Sequence, residues 1–167
     1  MYQFRKSKEN DRDGLADLFA ENFGALALNG GALQPIAGRY WVAVDDDGAI
    51  VAATGILPLK KSDYKGYEVT WTCTREQHRG KGLIVAMLQK AEAELPDDNL
   101  PLYCSCWRIR DNPEINMASV MKHMNMREVL RDRYRRQSAH NACCRGCPLS
   151  AKTKDCYCSE DLYMKDR

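Results

Sequence analysis

The sequence has no hydrophobic run long enough to cross a membrane. Its longest apolar stretches, residues 50–59 and 83–88, are far shorter than the roughly 20 residues that a spanning helix needs. No apolar stretch follows the basic residues near the N-terminus, so a signal peptide is not expected. No internal repeat or low-complexity linker interrupts the 167 residues. We therefore expect one domain, residues 1–167, in the cytoplasm and without a membrane partner.

Neither sign of charge dominates the whole chain, whose net charge is +2. The charge is nevertheless uneven, because residues 127–154 carry eight Lys or Arg and two Asp or Glu, a local net charge of +6. Such a segment is either a solvated surface or a site for an anionic partner. Tyr134 and Tyr157 are the only aromatic residues near it. A surface that stacks nucleic-acid bases is therefore not expected.

Hydrophobic periodicity predicts alternating strands and helices. Leu15, Leu18, Phe19 and Phe23 give a first helix one apolar face, and residues 24–38 have too weak a period for a prediction. The predicted strands are residues 2–5, 41–44, 50–60, 67–74, 102–107, 127–136 and 161–165. The predicted helices begin after Asn10 or Asp11, after Gly82, and at Asn112. This order, with three strands running as a meander in the middle, indicates a mixed α/β fold.

The most informative segment is the loop Gln77-His78-Arg79-Gly80-Lys81-Gly82, which lies between a predicted strand and a predicted helix. The first turn of a helix has backbone N–H groups without internal partners, and these bind anions. Gly80 and Gly82 permit close approach of the backbone, while Arg79 and Lys81 add positive charge. The loop therefore predicts a diphosphate site, with two glycines easing a tight turn as the alternative. Its spacing is neither that of a Walker loop nor that of the dinucleotide motif.

The same loop resembles a known family. Gln77, Gly80 and Gly82 occupy the signature positions of the (Q/R)-x-x-G-x-(G/A) motif of the GNAT superfamily of N-acetyltransferases. The element order over residues 1–134 and 160–167 also resembles the mixed, mostly antiparallel central sheet of that family. The resemblance implies acetyl-CoA as cosubstrate and acetyl transfer to a primary amine of a small molecule or peptide. By analogy with the family, a homodimer is a further expectation.

The resemblance also implies which residues bind acetyl-CoA. The strand end Thr72, Cys73 and Thr74 would offer backbone groups to the pantetheine arm and the acetyl carbonyl. Asn116 and Ser119, on the later helix, match a second coenzyme A contact, with solvated helix residues as the alternative. The pyrophosphate would be held by the loop and the residue after it, that is by Gln77, His78, Arg79, Gly80, Lys81, Gly82 and Leu83.

The catalytic residues are less well defined by the sequence. The tyrosine that acts as the acid in many family members is replaced by Met121, and the usual Gly-Phe after the helix by Asn125 and Met126. Glu68 is the candidate base, with an exposed strand carboxylate as the alternative interpretation. His123 is a second candidate because its pKa suits proton transfer, unless it is a surface residue. The candidate acids are Tyr134 and Tyr103.

Eight cysteines in a chain expected in the cytoplasm indicate thiols or metal ligands rather than a disulfide framework. Cys73, Cys104 and Cys106 lie on predicted strands and are expected to be small core residues. The other five form two close groups around a polar loop, a pattern that supplies four thiolates to a structural Zn²⁺. Paired disulfides and an iron–sulfur cluster are the alternatives, and His140 is a further candidate ligand. The predicted zinc ligands are Cys143, Cys144, Cys147, Cys156 and Cys158.

Residues 137–159 are predicted to be a cysteine-rich insertion between the last two strands. The insertion is much longer than a hairpin loop of roughly 2–5 residues and has no apolar run, so metal ligation would fold it. The resembled family places this hairpin beside the acceptor site, and the nearby +6 charge favours an acidic or phosphorylated acceptor. The alternative function is a zinc-containing nucleic-acid or protein-binding module on a degenerate GNAT scaffold. The missing tyrosine and Gly-Phe favour that alternative, and the intact loop argues against it.

Overall fold

The computed structural model describes residues 1–24, 28, 32–33, 35–59, 64–109, 114–137 and 157–167. Seven strands form one sheet in the order β1-β2-β3-β4-β5-β7-β6. The strands are β1 (Gln3–Lys6), β2 (Tyr40–Val44), β3 (Ile50–Leu59), β4 (Gly66–Thr74), β5 (Leu102–Ile109), β6 (Arg127–Gln137) and β7 (Tyr157–Lys165). The helices over the described ranges are α1 (Arg12–Phe23), α2 (Leu83–Ala93) and α3 (Ala118–His123). The predicted mixed sheet with flanking helices is confirmed.

The sheet is mostly antiparallel. β2 pairs with β1 and with β3 in antiparallel register, and β7 pairs in the same way with β5 and β6. β4 and β5 form a parallel ladder, in which Tyr67–Val69 lie opposite Leu102–Cys104. Among the strand pairs whose register is described, β4–β5 is therefore the parallel one.

The chain divides into two compact units, residues 1–57 with 70–96 and residues 58–69 with 97–167. In the first unit the side chains of β2 alternate between two core clusters. Tyr40, Val42 and Val44 pack with α1 residues, whereas Trp41 and Ala43 pack with α2 residues. The number of domains that fold independently stays a prediction.

The second unit contains the hairpin of β6 and β7. Its buried side chains include Leu102, Cys104 and Cys106 of β5 and Leu162 of β7. Asp161 of β7 is 1% exposed and accepts a hydrogen bond from the Arg108 guanidinium of β5, with Nε 3.0 Å from Oδ2. The interior of this unit therefore contains an ion pair beside its apolar residues.

One helix start differs from its prediction. The helix expected from Asn112 begins at Ala118, and residues 110–113 lie outside the described part of the chain. Residues 114–117 form a bend and a turn instead, in which the N–H of Ala118 donates to the carbonyl of Ile115 at 3.1 Å. Ile115 is 5% exposed. Its burial outweighs the local preference of an Asn-Pro pair for a helix start, since capping signals contribute only about 1 kcal/mol.

Each helix within the described residues is too short or too polar to cross a membrane.

Candidate functional site

The loop before α2 has the backbone geometry of an anion site. Gly80 and Gly82 have positive φ angles of 73° and 72°, and a Cβ atom added at either glycine would meet no atom within 4 Å. The first hydrogen bond of the α2 ladder runs from the N–H of Ala86 to the carbonyl of Gly82, at 3.1 Å. The N–H groups of residues 83–85 therefore precede the ladder. Together with the positive end of the helix dipole, they suit a phosphate group.

Positive side chains lie along the same loop. Arg79 is exposed; its Nε donates to the carbonyl of Thr74 at 3.3 Å, and its guanidinium donates to Oδ1 of Asn22 at 3.2 Å. Lys81 is exposed, and its Nζ donates to the hydroxyl of Tyr2 at 2.9 Å. Gln77 is exposed within the 3-10 turn Glu76–His78. Arg79 and Lys81 therefore both lie at the surface, and their hydrogen bonds connect the loop to Thr74, Asn22 and Tyr2.

Three further long-range bonds, one at His78 and two at Arg75 just before the loop, were missed by sequence reasoning. The hydroxyl of Tyr2 lies 3.0 Å from Nδ1 of His78. The N–H of Arg75 donates to the carbonyl of Val51 at 2.8 Å, and the Arg75 guanidinium donates to Glu21 at 2.7 Å. The bonded residues are 76, 24 and 54 positions apart in the sequence. A local motif cannot predict contacts over such separations.

The end of β4 buries Cys73 and leaves Thr72 and Thr74 half-buried. Thr74 contacts the loop through the Arg79 bond described above. The hydroxyl of Thr72 lies 2.7 Å from that of the fully buried Thr54. Cys73 is 7% exposed, and burial raises the pKa of its thiol, which is the opposite of what a nucleophile needs. Cys73 is therefore a core residue, and ligand binding by the backbone of residues 72–74 stays a prediction.

Trp71 departs from the expected strand pattern. The sequence predicts that Val69, Trp71 and Cys73 alternate regularly with polar residues, but Trp71 has a φ of 49°. A bulky residue in the left-handed region is strained by about 1–3 kcal/mol. Its ring contacts those of Phe19 and Phe23, with centroids 5.9 and 5.6 Å away. No sequence signal marks this conformation, since a tryptophan in a half-buried strand is ordinary.

The candidate catalytic residues belong to the second unit. Glu68 is half-buried on β4 and lies opposite Tyr103 in the parallel ladder. His123 is exposed at the end of α3, and its Nδ1 lies 2.7 Å from the carbonyl of Ser119. Tyr134 lies opposite Glu160 in the β6–β7 ladder, and its side chain is outside the described part of the structure.

The residues after α3 explain one departure from the family pattern. Asn125 has a φ of 55°, a conformation that Gly and Asn adopt at the end of a helix. Met126 is 6% exposed. The Asn-Met pair therefore supplies the turn and the buried apolar group for which Gly-Phe is usual. Met121 is 2% exposed, and its thioether supplies no proton.

Asn116 and Ser119, the predicted second coenzyme A contact, are both exposed. Asn116 lies in the turn before α3, and Ser119 lies in the first turn of that helix. They are the second and fifth residues after the bend at Glu114 rather than neighbours along one continuous helix. Their role stays a prediction.

The cysteines fall into a described and an undescribed group. Cys104 and Cys106 are each 2% exposed, and Cys73 is also buried, so the prediction of small core residues is confirmed. Cys158 is half-buried at the start of β7. Within the described ranges no group of three His, Cys, Asp or Glu side chains could hold a metal ion. The other predicted zinc ligands lie outside those ranges and are Cys143, Cys144, Cys147 and Cys156.

Comparison with known proteins identifies relatives of this chain. Residues 8–118 match the family model described as Acetyltransferase (GNAT) family. No curated protein matches the chain.

Several solved structures are similar in fold. An acetyltransferase of the GNAT family from Bacillus cereus ATCC 10987 aligns with a TM-score of 0.65 and 12% identity, over 100% of this chain and 98% of that one. NAA60 from Arabidopsis thaliana in complex with a bisubstrate analogue aligns with a TM-score of 0.60 and 16% identity, over 99% and 98%. N-acetylglutamate synthase from Neisseria gonorrhoeae, complexed with coenzyme A and N-acetyl-glutamate, aligns with a TM-score of 0.57 and 11% identity, over 99% and 35%.

The chain spans 61% and 44% of the length of two further acetyltransferase structures, from Escherichia coli and Pyrococcus horikoshii. At these identities the likeness concerns the fold.

Proposed function

Because the chain belongs to the acetyltransferase (GNAT) family, we propose that it transfers an acetyl group from acetyl-CoA to a primary amine of a small molecule or peptide. The observation that carries this proposal is the loop before α2. Gly80 and Gly82 have positive φ angles, and a Cβ atom added at either would meet no atom within 4 Å. The amides of residues 83–85 precede the first hydrogen bond of the helix. These features fit the diphosphate of acetyl-CoA.

Acetyl-CoA would be held by main-chain and basic groups. The amides at the start of α2, with Arg79 and Lys81, would bind the pyrophosphate. The backbone of residues 72–74 would bind the pantetheine arm and orient the acetyl carbonyl. Asn116 and Ser119 would add a second contact. Two neighbours support this role, since one was solved with coenzyme A and one with a bisubstrate analogue.

The chemistry is a direct acyl transfer. The amine nitrogen attacks the thioester carbon, an N–C bond forms, and the C–S bond breaks. The amine loses one proton to a base, and the departing sulfur takes one proton from an acid. Orientation of the two reactants and hydrogen bonds to the carbonyl oxygen would supply most of the acceleration.

Glu68 is the base that we propose, because a half-buried carboxylate on β4 is a suitable proton acceptor. Its ladder neighbour Tyr103 and the β6 residue Tyr134 are the candidate acids. His123 is the alternative base; with its Nδ1 at the Ser119 carbonyl, Nε2 would be the nitrogen that accepts the proton.

The test is a coupled assay that measures coenzyme A thiol released from acetyl-CoA and acetylated amine by mass spectrometry. Glu68→Gln is expected to lower kcat by roughly 10²–10⁴-fold at neutral pH and to leave the Kd for acetyl-CoA unchanged. Glu128→Gln, at an exposed carboxylate of β6, is the matched control. A Glu68→Gln variant with full kcat would exclude this carboxylate as the base.

The alternative is a zinc-containing binding module on a degenerate GNAT scaffold. It would be supported if the folded protein failed to bind acetyl-CoA and bound nucleic acid with strong salt dependence. The amines tested in the assay should include one with an acidic or phosphorylated group, because the +6 charge of residues 127–154 predicts such an acceptor.

We further propose that the cysteine cluster holds a structural Zn²⁺. A set of thiolates fits the coordination preference of zinc, and the metal would stabilise a segment whose sequence has no apolar run. Metal analysis of protein purified without chelators is expected to give about one zinc per chain, lost in Cys147→Ser. Zinc-free protein with iron or with oxidised thiols would favour the cluster or disulfide alternatives.

A further inference from the structure

The aromatic side chains around Trp71 form a layered cluster in the first unit. Phe19 and Tyr40 are fully buried, with ring centroids 5.4 Å apart. Phe23 and Trp71 pack against them and stay half-exposed, in a T-shaped arrangement with centroids 5.6 Å apart. We call the half-exposed pair, Phe23 and Trp71, the aromatic platform. Rigid rings below it hold the platform in place.

The platform differs in its charge environment from Trp41 and Tyr2, two other half-exposed aromatic residues of this unit. Lys6 and Lys90 lie over the ring of Trp41, at 5.1 and 5.8 Å from the centroid, and Lys81 lies over Tyr2. Among the residues that the structure describes, no Lys or Arg lies over Trp71 or Phe23. No described cation therefore covers the ring faces of Phe23 or Trp71.

The backbone of Trp71 is strained, and Trp71 directly precedes residues 72–74, the segment proposed to bind acetyl-CoA. Among the described residues, Trp71 is the one residue other than glycine or asparagine with a positive φ. Such strain costs about 1–3 kcal/mol and tends to occur where it orients a group at a working site. The Trp71 ring packs on the same cluster as Cys73, and it meets the Phe23 ring there.

From these observations we propose that the aromatic platform binds the apolar body of the acceptor amine, so that the substrate is an arylalkylamine or a peptide with a bulky apolar N-terminal residue. This inference rests on the proposed acetyl transfer. Trp71 directly precedes residues 72–74, the segment assigned to the acetyl end of acetyl-CoA, and one strand residue spans about 3.3 Å. The apolar body must therefore lie within a few bonds of the reacting nitrogen. An indole face also attracts a protonated amine before it reacts.

The test compares phenethylamine with butylamine, spermidine and glutamate in the acetyl-transfer assay. Trp71→Asn removes the ring and keeps a residue that tolerates this φ, as Asn99 and Asn125 do here at 55°. We expect it to raise the KM for phenethylamine roughly tenfold or more, with less than a threefold change for butylamine. Trp71→Phe should restore most of the loss. Trp41→Phe, on the α2 side of β2, is the matched control and should change neither KM.

An equal loss with both amines would overturn the proposal, because Trp71 would then act on the shared chemistry. A wild-type preference for spermidine or glutamate, unaffected by Trp71→Asn, would also overturn it. Direct calorimetric titration with phenethylamine, with and without coenzyme A, separates this inference from the proposed function. Binding that is lost in Trp71→Asn without any turnover would uphold the platform and reject the transferase activity. If the wild-type protein neither binds nor acetylates phenethylamine, the proposal is overturned.

Discussion

The hydroxyl of Tyr2 lies 3.0 Å from Nδ1 of His78, so the residue before the first strand is bonded to the loop before the second helix. The same hydroxyl accepts a hydrogen bond from Lys81, and the His78 ring meets the Tyr2 ring edge-on at 5.8 Å. The N-terminal segment thus holds two loop residues in place. Preorganisation of this kind lowers the entropic cost of binding a ligand.

Tyr2→Phe is expected to weaken acetyl-CoA binding by roughly 5–30-fold, because it removes the hydrogen bonds of this hydroxyl to His78 and from Lys81 and each contributes about 1 kcal/mol. The ring contacts with His78 and Lys81 remain in this variant. Calorimetric titration measures the change. Tyr67→Phe, which removes a hydroxyl that donates to Asp98 at 2.6 Å, serves as the control and should bind normally. Equal Kd values for wild type and Tyr2→Phe would show that these bonds do not order the loop.

Arg108→Met is expected to destabilise the protein by about 3–5 kcal/mol, because the buried Asp161 carboxylate would lose the charge and the hydrogen bonds of its Arg108 partner. Asp161 is 1% exposed, and the Arg108 side chain is 11% exposed. Urea unfolding measures the loss. The double variant Arg108→Met/Asp161→Leu should be more stable than Arg108→Met alone. A cost below about 1 kcal/mol for the single variant would contradict this account of the pair.

The pair of Arg5 and Asp11 is expected to give a pH-dependent contribution to stability. The hydrogen bond from Arg5 lowers the pKa of the Asp11 carboxyl, and the Lys8 N–H contributes further. A carboxyl whose pKa is lowered by folding stabilises the protein above its unfolded pKa of about 3.9, and this contribution is lost as the pH falls through the lower folded pKa.

Unfolding of wild type and Arg5→Met should therefore differ by about 1–2 kcal/mol at pH 5–7. The difference should shrink as the pH falls below about 4. The measurement is urea unfolding at several pH values. A difference that stays constant from pH 7 to pH 2 would show that Arg5 stabilises the protein by packing alone.

Much of the fold could be predicted because it depends on local periodicity. The apolar face of α1 places Leu15, Leu18 and Phe19 in the core as its period requires, and the short apolar run at residues 41–44 forms the predicted strand. The helix start at Ala118 could not be predicted, since the burial of Ile115 is a tertiary effect that overrides a local capping signal.

The site was predictable only in part, and for a similar reason. The loop from Gln77 to Gly82 has a local signature, because its glycines and the helix after it are contiguous. The bonds from Tyr2 and Glu21 to this loop join residues far apart in the sequence, and the left-handed conformation of Trp71 is imposed by its neighbours. Neither these long-range bonds nor the conformation of Trp71 can be predicted from the composition or from the spacing of residues.

The most direct test of the account is calorimetric titration of acetyl-CoA into wild type, Gly80→Trp and Gly48→Trp. Both glycines have positive φ and an open Cβ side, so the two variants carry similar backbone strain, but only position 80 lies in the phosphate loop. The account predicts binding by wild type and Gly48→Trp, and none by folded Gly80→Trp. Unchanged binding by Gly80→Trp, or no binding by folded wild type, would contradict the assignment of this loop to acetyl-CoA.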